Sequence, residues 1–515
     1  MRMKFTDRFS AFRNQYCLTL NAVADQTGID YKMLLKYESG EVNPTQDEEA
    51  RIFACAKPEK EEFYAPKPDY SMQHNWENYA KELSVEYRQC IEEGKDVEKY
   101  EGLFTAAGNM EAGELKDRLA DIIYEIVTKA PVREGYPYNE PDDLPSIRAL
   151  RNRSEAEEKK PVPVGEELYD KIYGAWLGRI AGCLLGKPIE GIRTEELHPI
   201  LKESDNFPMH RYIRSSDLTE ERIAATKYPL KGRCFADTVE AMPVDDDTNY
   251  VVLAQVLIDK YGRDFTSDDV MRVWVDYQSK NAYCTAERVA YVNFVKGFRP
   301  PFSARYKNPY REWVGAQIRG DYFGYINPGN PEKAAEMAWR DASISHIKNG
   351  IYGEMFVAAM IAEAAVQNDI EKILLAGLNE IPKTSRLHEA ISEIISDYKK
   401  GMNKEAAFAG IHARWDEHIP HDWCHTISNA EIVAASLLYG QGDLGASICM
   451  AVETGFDTDC NGATVGSILG MRNGAWSIDH EWTKPFNDLL DTSIFGVGRV
   501  KLSEMARKTI GHIEK

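Results

Sequence analysis

Two acidic clusters stand about two hundred residues apart, Asp245-Asp246-Asp247-Thr248 and Asp457-Thr458-Asp459. Consecutive carboxylates repel one another and lose hydration when buried, so a folded chain tolerates them best where a cation or water takes up the charge. Donors that are all oxygen suit a hard divalent ion, Mg2+ or Mn2+. Acidic residues also cap helices and complement the helix dipole, and either cluster alone has that ordinary explanation. One cap per helix does not require two or three carboxylates. Two such clusters, each directly before a small-residue-rich helical segment, point to a metal-dependent enzyme.

The elements that must position these clusters read as helical. From Gly165 onward apolar residues recur every three to four positions, for example over 168–185, 248–261, 350–367 and 461–472, and no run of alternating strands interrupts them. The expected fold class is all-α. Gly174, Gly178 and Gly182 share one helix face, as do Gly462, Gly466 and Gly470. Glycine costs a helix about 1 kcal/mol per residue relative to alanine, so the repetition implies that backbones approach closely there.

Upstream, residues 61–163 form a polar helical connecting region, with a loop at 136–145 and a charged, proline-ended linker at 155–163. Residues 1–60 form a separate unit. In it Thr19 and Asp30 stand as helix caps and Gly28 as the sharp turn between two short helices. This spacing resembles the phage-repressor-like helix-turn-helix domains, a resemblance that places Tyr31, Lys32 and Lys36 near a DNA groove. Nine Lys/Arg balance nine Asp/Glu in that stretch. A neutral unit lacks the basic face that phosphate contacts need, so protein interaction competes with DNA binding.

The formal charge of −20 likewise excludes a protein that coats nucleic acid generally. Nine scattered cysteines without a C-x-x-C pair indicate neither a disulfide framework nor a zinc site, and they suit a reducing cytoplasm. No apolar run approaches membrane-spanning length, so neither secretion nor a membrane partner is expected.

Gly174-Ala175-Trp176-Leu177-Gly178 and Gly186-Lys187-Pro188-Ile189-Glu190-Gly191, together with both acidic clusters, resemble the ADP-ribosylglycohydrolases, over about two thirds of the chain. The resemblance implies an all-helical domain over 164–515 with two magnesium ions at the base of a cleft. It also implies hydrolysis of the bond joining ADP-ribose to a protein, nucleic-acid or small-molecule acceptor. Carried over, Asp245, Asp246, Asp247, Asp457 and Asp459 are the metal ligands. Glu190, with Asp246 and Asp459, is catalytic, positioning a water or moving its proton. Asp245 and Cys460 stand where the family usually has threonine, and Cys183 where many members have aspartate. The first two exchanges add a carboxylate and remove a hydroxyl, and a thiol is a poor magnesium ligand.

A polar block, Arg319-Gly320-Asp321 and Ser345-His346, suits a diphosphate and ribose, which makes Arg319 and Asp321 candidates at the substrate, and the resemblance adds His346. An Arg319–Asp321 ion pair and a structural histidine are the alternatives. Two functional alternatives stay open: a regulator that binds ADP-ribose or a related nucleotide without turnover, and a hydrolase of another N- or O-glycoside. Repressor-like modules commonly pair, so a homodimer is an expectation of the first unit.

Overall fold

The structure, a computed structural model, describes residues 4–55, 68–152, 161–227 and 233–513. The chain divides into two compact units, Met1–Met72 and Gln73–Lys515. In the first, four helices (Phe5–Gln15, Leu20–Thr27, Tyr31–Ser39 and Gln46–Ala54) enclose Phe9, Val23, Leu34, Tyr37 and Ile52. Thr19 accepts from the Ala22 N–H, Asp30 accepts from the Lys32 N–H, and Gly28 turns the chain at φ 71°. These are the caps and turn that the residue types required.

The second unit is helical nearly throughout. The one sheet among its described residues pairs Leu489–Leu490 with Val500–Lys501, antiparallel. The segment expected as a connecting region belongs, from Gln73 on, to this unit. It brings its own apolar cluster, with Leu83, Cys90, Phe104, Ile123 and Val127 buried at its centre. Part of the expected linker, 155–160, lies outside the described residues.

At the heart of the unit lie two glycine-striped helices, Gly165–Gly186 and Thr458–Asn473. A Cβ added to Gly174, Gly178 or Gly182 would stand 2.4, 2.0 or 1.9 Å from the carbonyl oxygen of Gly470, Gly466 or Gly462 respectively. The reverse test gives 2.0, 2.0 and 2.5 Å from the carbonyls of Gly174, Gly178 and Gly182. The two stripes are therefore each other's partners, and any side chain would drive the backbones apart. One series rises as the other falls, so the helices run antiparallel. The C-terminal end of the first thereby meets the N-terminal end of the second, bringing Gly186–Glu190 to Asp457–Asp459. Thr458 Oγ1 fastens that end by donating to the Gly186 carbonyl at 3.0 Å.

Candidate active site

Three chain segments converge where the glycine stripes end. After the first striped helix comes a short 3-10 turn, Lys187–Ile189, followed by Glu190. Asp457 precedes the second striped helix. The third segment begins with Asp245, which caps the Asp246–Tyr261 helix by accepting from the Asp247 N–H at 2.9 Å. The capping reading and the acidic-centre reading thus both apply to Asp245.

The two acidic clusters meet. Ligand atoms of Asp245, Asp247, Asp459 and Cys183 lie within 4.8 Å of one another, and those of Asp457, Asp459 and Cys460 form a second such group. Asp459 belongs to both. Asp247 is fully enclosed and tied to the first striped helix by Arg179, which donates to its Oδ1 and to its main-chain carbonyl, each at 2.9 Å. Arg179 is shared with Asp321, 2.9 Å away. Even so, Asp247 Oδ2 and Asp459 Oδ1 are buried without a hydrogen-bond partner. Orphaned carboxylate oxygens are costly unless a cation or proton compensates them.

The electrostatics agree. Burial, then Asp245 and Asp459, push Asp246 up to about 7. Burial and then Asp245 raise Asp459 to about 6. Asp247 is raised by burial against the pull of Arg179, and Asp457 by burial and Asp459. The charge of Asp459, reinforced by burial and by Asp245, lifts Glu190 well above the glutamate range. Glu190 and Asp246 are the half-buried members, and the remaining aspartates are enclosed. Hard oxygen donors, two orphaned oxygens and crowded carboxylates fit a divalent cation. The thiols do not add to that set. Burial holds Cys183 and Cys460 well above their usual range, as neutral S–H groups.

Arg319, Asp321 and His346, expected at the substrate, are all buried instead. Arg319 donates to Glu287 at 2.8 Å and Asp341 at 2.5 Å, lies 3.4 Å from Glu354, and stacks over Trp274 with its guanidinium carbon 5.0 Å from the ring centre. Asp321 pairs with Arg179, not with Arg319. His346 engages Ser345 at 2.9 Å, and burial lowers its pKa well below the usual histidine value, so its ring is neutral. In this arrangement they brace helices and offer almost no surface to a ligand. The polarity that suggested a binding loop belongs to buried ion pairs.

Two residues at the centre escaped the sequence reading. Glu287, beside Arg319, is raised to about 6 by burial and adds to the field on Asp246. Lys187 donates to Asp245 Oδ2 at 2.5 Å. Burial opposes its charge, but Asp245 outweighs this and its pKa rises. A lysine between Gly186 and Pro188 carries no spacing signal of its own. Its position in a motif beside Glu190 was the available clue.

A second cluster with metal-like composition, Glu92, His421 and His425, has a different character. His421 Nδ1 accepts from the Trp313 indole N–H and His425 Nδ1 from the Ile427 main-chain N–H, both at 3.1 Å. Those partners only donate, so each ring carries a proton on Nε2; that of His421 meets Glu92 at 3.0 Å, and Nε2 of His425 lies 3.4 Å from the same carboxylate. A metal would need those Nε2 lone pairs. This cluster is a hydrogen-bonded clasp.

With this geometry in place, the match to known families is decisive. The ADP-ribosylglycohydrolase family model covers residues 165–513. The chain belongs to the ADP-ribosylglycohydrolase family. It is accordingly a hydrolase of a family acting on ADP-ribose conjugates, and both acidic clusters, Glu190 and both glycine stripes lie inside the matched span. Among solved structures it is similar to one described as "ADP-ribosylglycohydrolase-related protein complex", with 17% identity, a TM-score of 0.43, and coverage of 68% of this chain and 98% of that one. The curated proteins contain no match.

Proposed function

We propose that this ADP-ribosylglycohydrolase removes ADP-ribose from a modified acceptor in a reaction that depends on a divalent cation, Mg2+ or Mn2+, held by Asp246, Asp247, Asp457 and Asp459. The observation that carries this reading is the meeting of the two acidic clusters around Asp459, with Asp247 Oδ2 and Asp459 Oδ1 left bare. Two donor groups sharing one carboxylate suit a pair of neighbouring ions. A bound ion supplies Lewis-acid charge stabilisation and a nucleophilic water at neutral pH.

The chain's own residues account for the rest. Arg179 and the glycine contact fix Asp247 and Asp459 relative to each other, so the donors need little reorganisation. Glu190 is half-buried beside Asp459, whose charge, with burial and Asp245, raises its pKa well above the glutamate range. That suits it to exchange protons with the reacting water and the departing acceptor. Water oxygen bonds to the anomeric carbon of the distal ribose, the bond from that carbon to the acceptor breaks, and the acceptor leaves with a proton.

The test is release of ADP-ribose from ADP-ribosylated protein and nucleic acid. Release that is lost with chelator and in Asp246→Ala supports the reading, and release unaffected by either refutes it. The acceptor class emerges from the same substrate panel.

For the first unit we infer a helix-turn-helix module that binds DNA. Tyr31, Lys32 and Lys36 are exposed on one helix that starts at a capped N-terminus after the Gly28 turn. A gel shift at low salt with the DNA upstream of its own coding sequence is the measurement. A shift lost in the Lys32→Ala/Lys36→Ala variant supports DNA binding, and no shift assigns the module to protein contacts.

A further inference from the structure

We propose that Lys187 is a built-in counter-ion of the acidic centre: its ammonium group takes a cation's place at Asp245, so that divalent ions are held without Asp245 and more weakly than the carboxylates alone would hold them. This rests on the metal reading above and adds a role that neither the acidic clusters nor the family match assigns.

Both oxygens of Asp245 are engaged, Oδ1 by the Asp247 N–H at 2.9 Å and Oδ2 by Lys187 Nζ at 2.5 Å. In the same centre Asp247 Oδ2 and Asp459 Oδ1, both on buried side chains, have no partner. Asp245 was expected as a ligand on equal terms with Asp246 and Asp247, yet among the enclosed carboxylates it is the one already paired with an ammonium group. A divalent ion entering among these residues therefore meets two bare oxygens and one that a lysine covers. To recruit Asp245 it would have to displace that lysine.

Lys187 is poorly placed to withdraw. Its backbone follows Gly186, where an added Cβ would stand 2.3 Å from the Asp459 nitrogen, so this stretch of chain is pressed against the second acidic segment. Its carbonyl accepts from Arg233 at 3.2 Å, and Pro188 follows within the 3-10 turn. Its side chain is only 23% exposed. Arg179 is fully buried and committed to Asp247 and Asp321. Lys187 thus supplies a second full positive charge, beside that of Arg179, to a centre crowded with carboxylates.

The experiment is Mn2+ titration of the full-length protein by isothermal calorimetry, with the electron paramagnetic resonance of free Mn2+ as an independent readout. Lys187→Met and Lys187→Gln are each expected to bind at least tenfold more tightly than the unsubstituted chain, because Asp245 becomes available and one competing charge is gone. Lys187→Arg should stay near the starting affinity. The double variant Lys187→Met/Asp245→Thr removes both members of the pair and should return most of the way to it. Unchanged or weaker binding in both Met and Gln variants overturns the proposal, as does a double variant that binds as tightly as Lys187→Met. If no variant, the unsubstituted chain included, binds Mn2+, the metal reading itself falls and takes this inference with it. Circular dichroism on each variant confirms that the comparison is made between folded proteins.

Discussion

Two regions of the second unit bury carboxylates at high density, and they treat them in opposite ways. Around Arg311 and Arg386, the residues Glu86, Glu93, Glu140 and Glu312 are held in buried ion pairs of 2.5 to 2.9 Å, and Glu92 accepts from His421 with the His425 ring 3.4 Å away. There burial opposes ionisation but is outweighed: Arg311 and Lys348 hold Glu93 well below the usual carboxylate range, and His421, with His425 and Arg386, does the same for Glu92. Around Asp459 the balance reverses: carboxylates outnumber cations, oxygens are orphaned, and the pKa values rise. The first arrangement fastens the segment after Gln73 to the helical core. The second carries an excess of negative charge that a cation or protons must compensate. Composition does not separate a staple from a site. The balance of buried charge does.

A single substitution at Asp459 separates the two regions most widely. Asp459→Asn should lower ADP-ribose release by on the order of 10³-fold, the several kcal/mol a bound metal contributes. Thermal unfolding of the metal-free variant should occur at the same temperature or higher, because a repulsive charge is gone. Melting several degrees lower would make the acidic centre a staple too. In the other region Arg386→Met leaves Glu140 and Glu312 buried without their guanidinium and should cost roughly 3–5 kcal/mol of stability in denaturant titration, as breaking a buried ion pair does.

Smaller effects sharpen the contrast. Gly178→Ala places a Cβ 2.0 Å from the Gly466 carbonyl and should destabilise by about 3 kcal/mol. It should also weaken metal binding, since the same contact aligns the two halves of the centre. The weakest and most diagnostic signal is pH. Asp246 and Asp459 titrate near 7 and 6 in the folded chain, above their unfolded values. The folded state therefore keeps protons that the unfolded state has released. Metal-free stability should fall as pH rises from about 4 to 7, with a slope of at most about 1.4 kcal/mol per pH unit for each proton retained. Glu92 and Glu93, depressed in the folded chain, contribute stability above the ordinary glutamate range that is lost as pH falls below it. Chemical denaturation across pH should show both limbs, and Asp459→Asn should flatten only the neutral one.

What was legible in the sequence follows from how local each signal is. The helical period, the two acidic clusters and the glycine stripes are carried by residues within a few turns of one another, and the all-α class followed from them. That the stripes face each other, in antiparallel register, depends on a pairing between distant segments that no spacing encodes. Arg319 and Asp321 looked like a binding pair because they sit in a polar stretch. Their partners, Glu287, Asp341 and Arg179, are scattered along the chain, so burial was invisible. Lys187 was read only as part of a motif, because its carboxylate lies 58 positions away.

The glycine contact also has a consequence for how the protein is made. It joins helices separated by nearly three hundred residues of chain, Gly165–Gly186 and Thr458–Asn473. Contacts of such separation form slowly, after much intervening chain has been ordered. During synthesis the first striped helix must wait, its bare backbone face uncovered, until almost the whole polypeptide has emerged. Half of the acidic centre waits with it. A chain that stops before Thr458 carries Lys187, Glu190 and Asp245–Asp247 but lacks the helix that closes against them, so the acidic centre comes into being only as folding finishes.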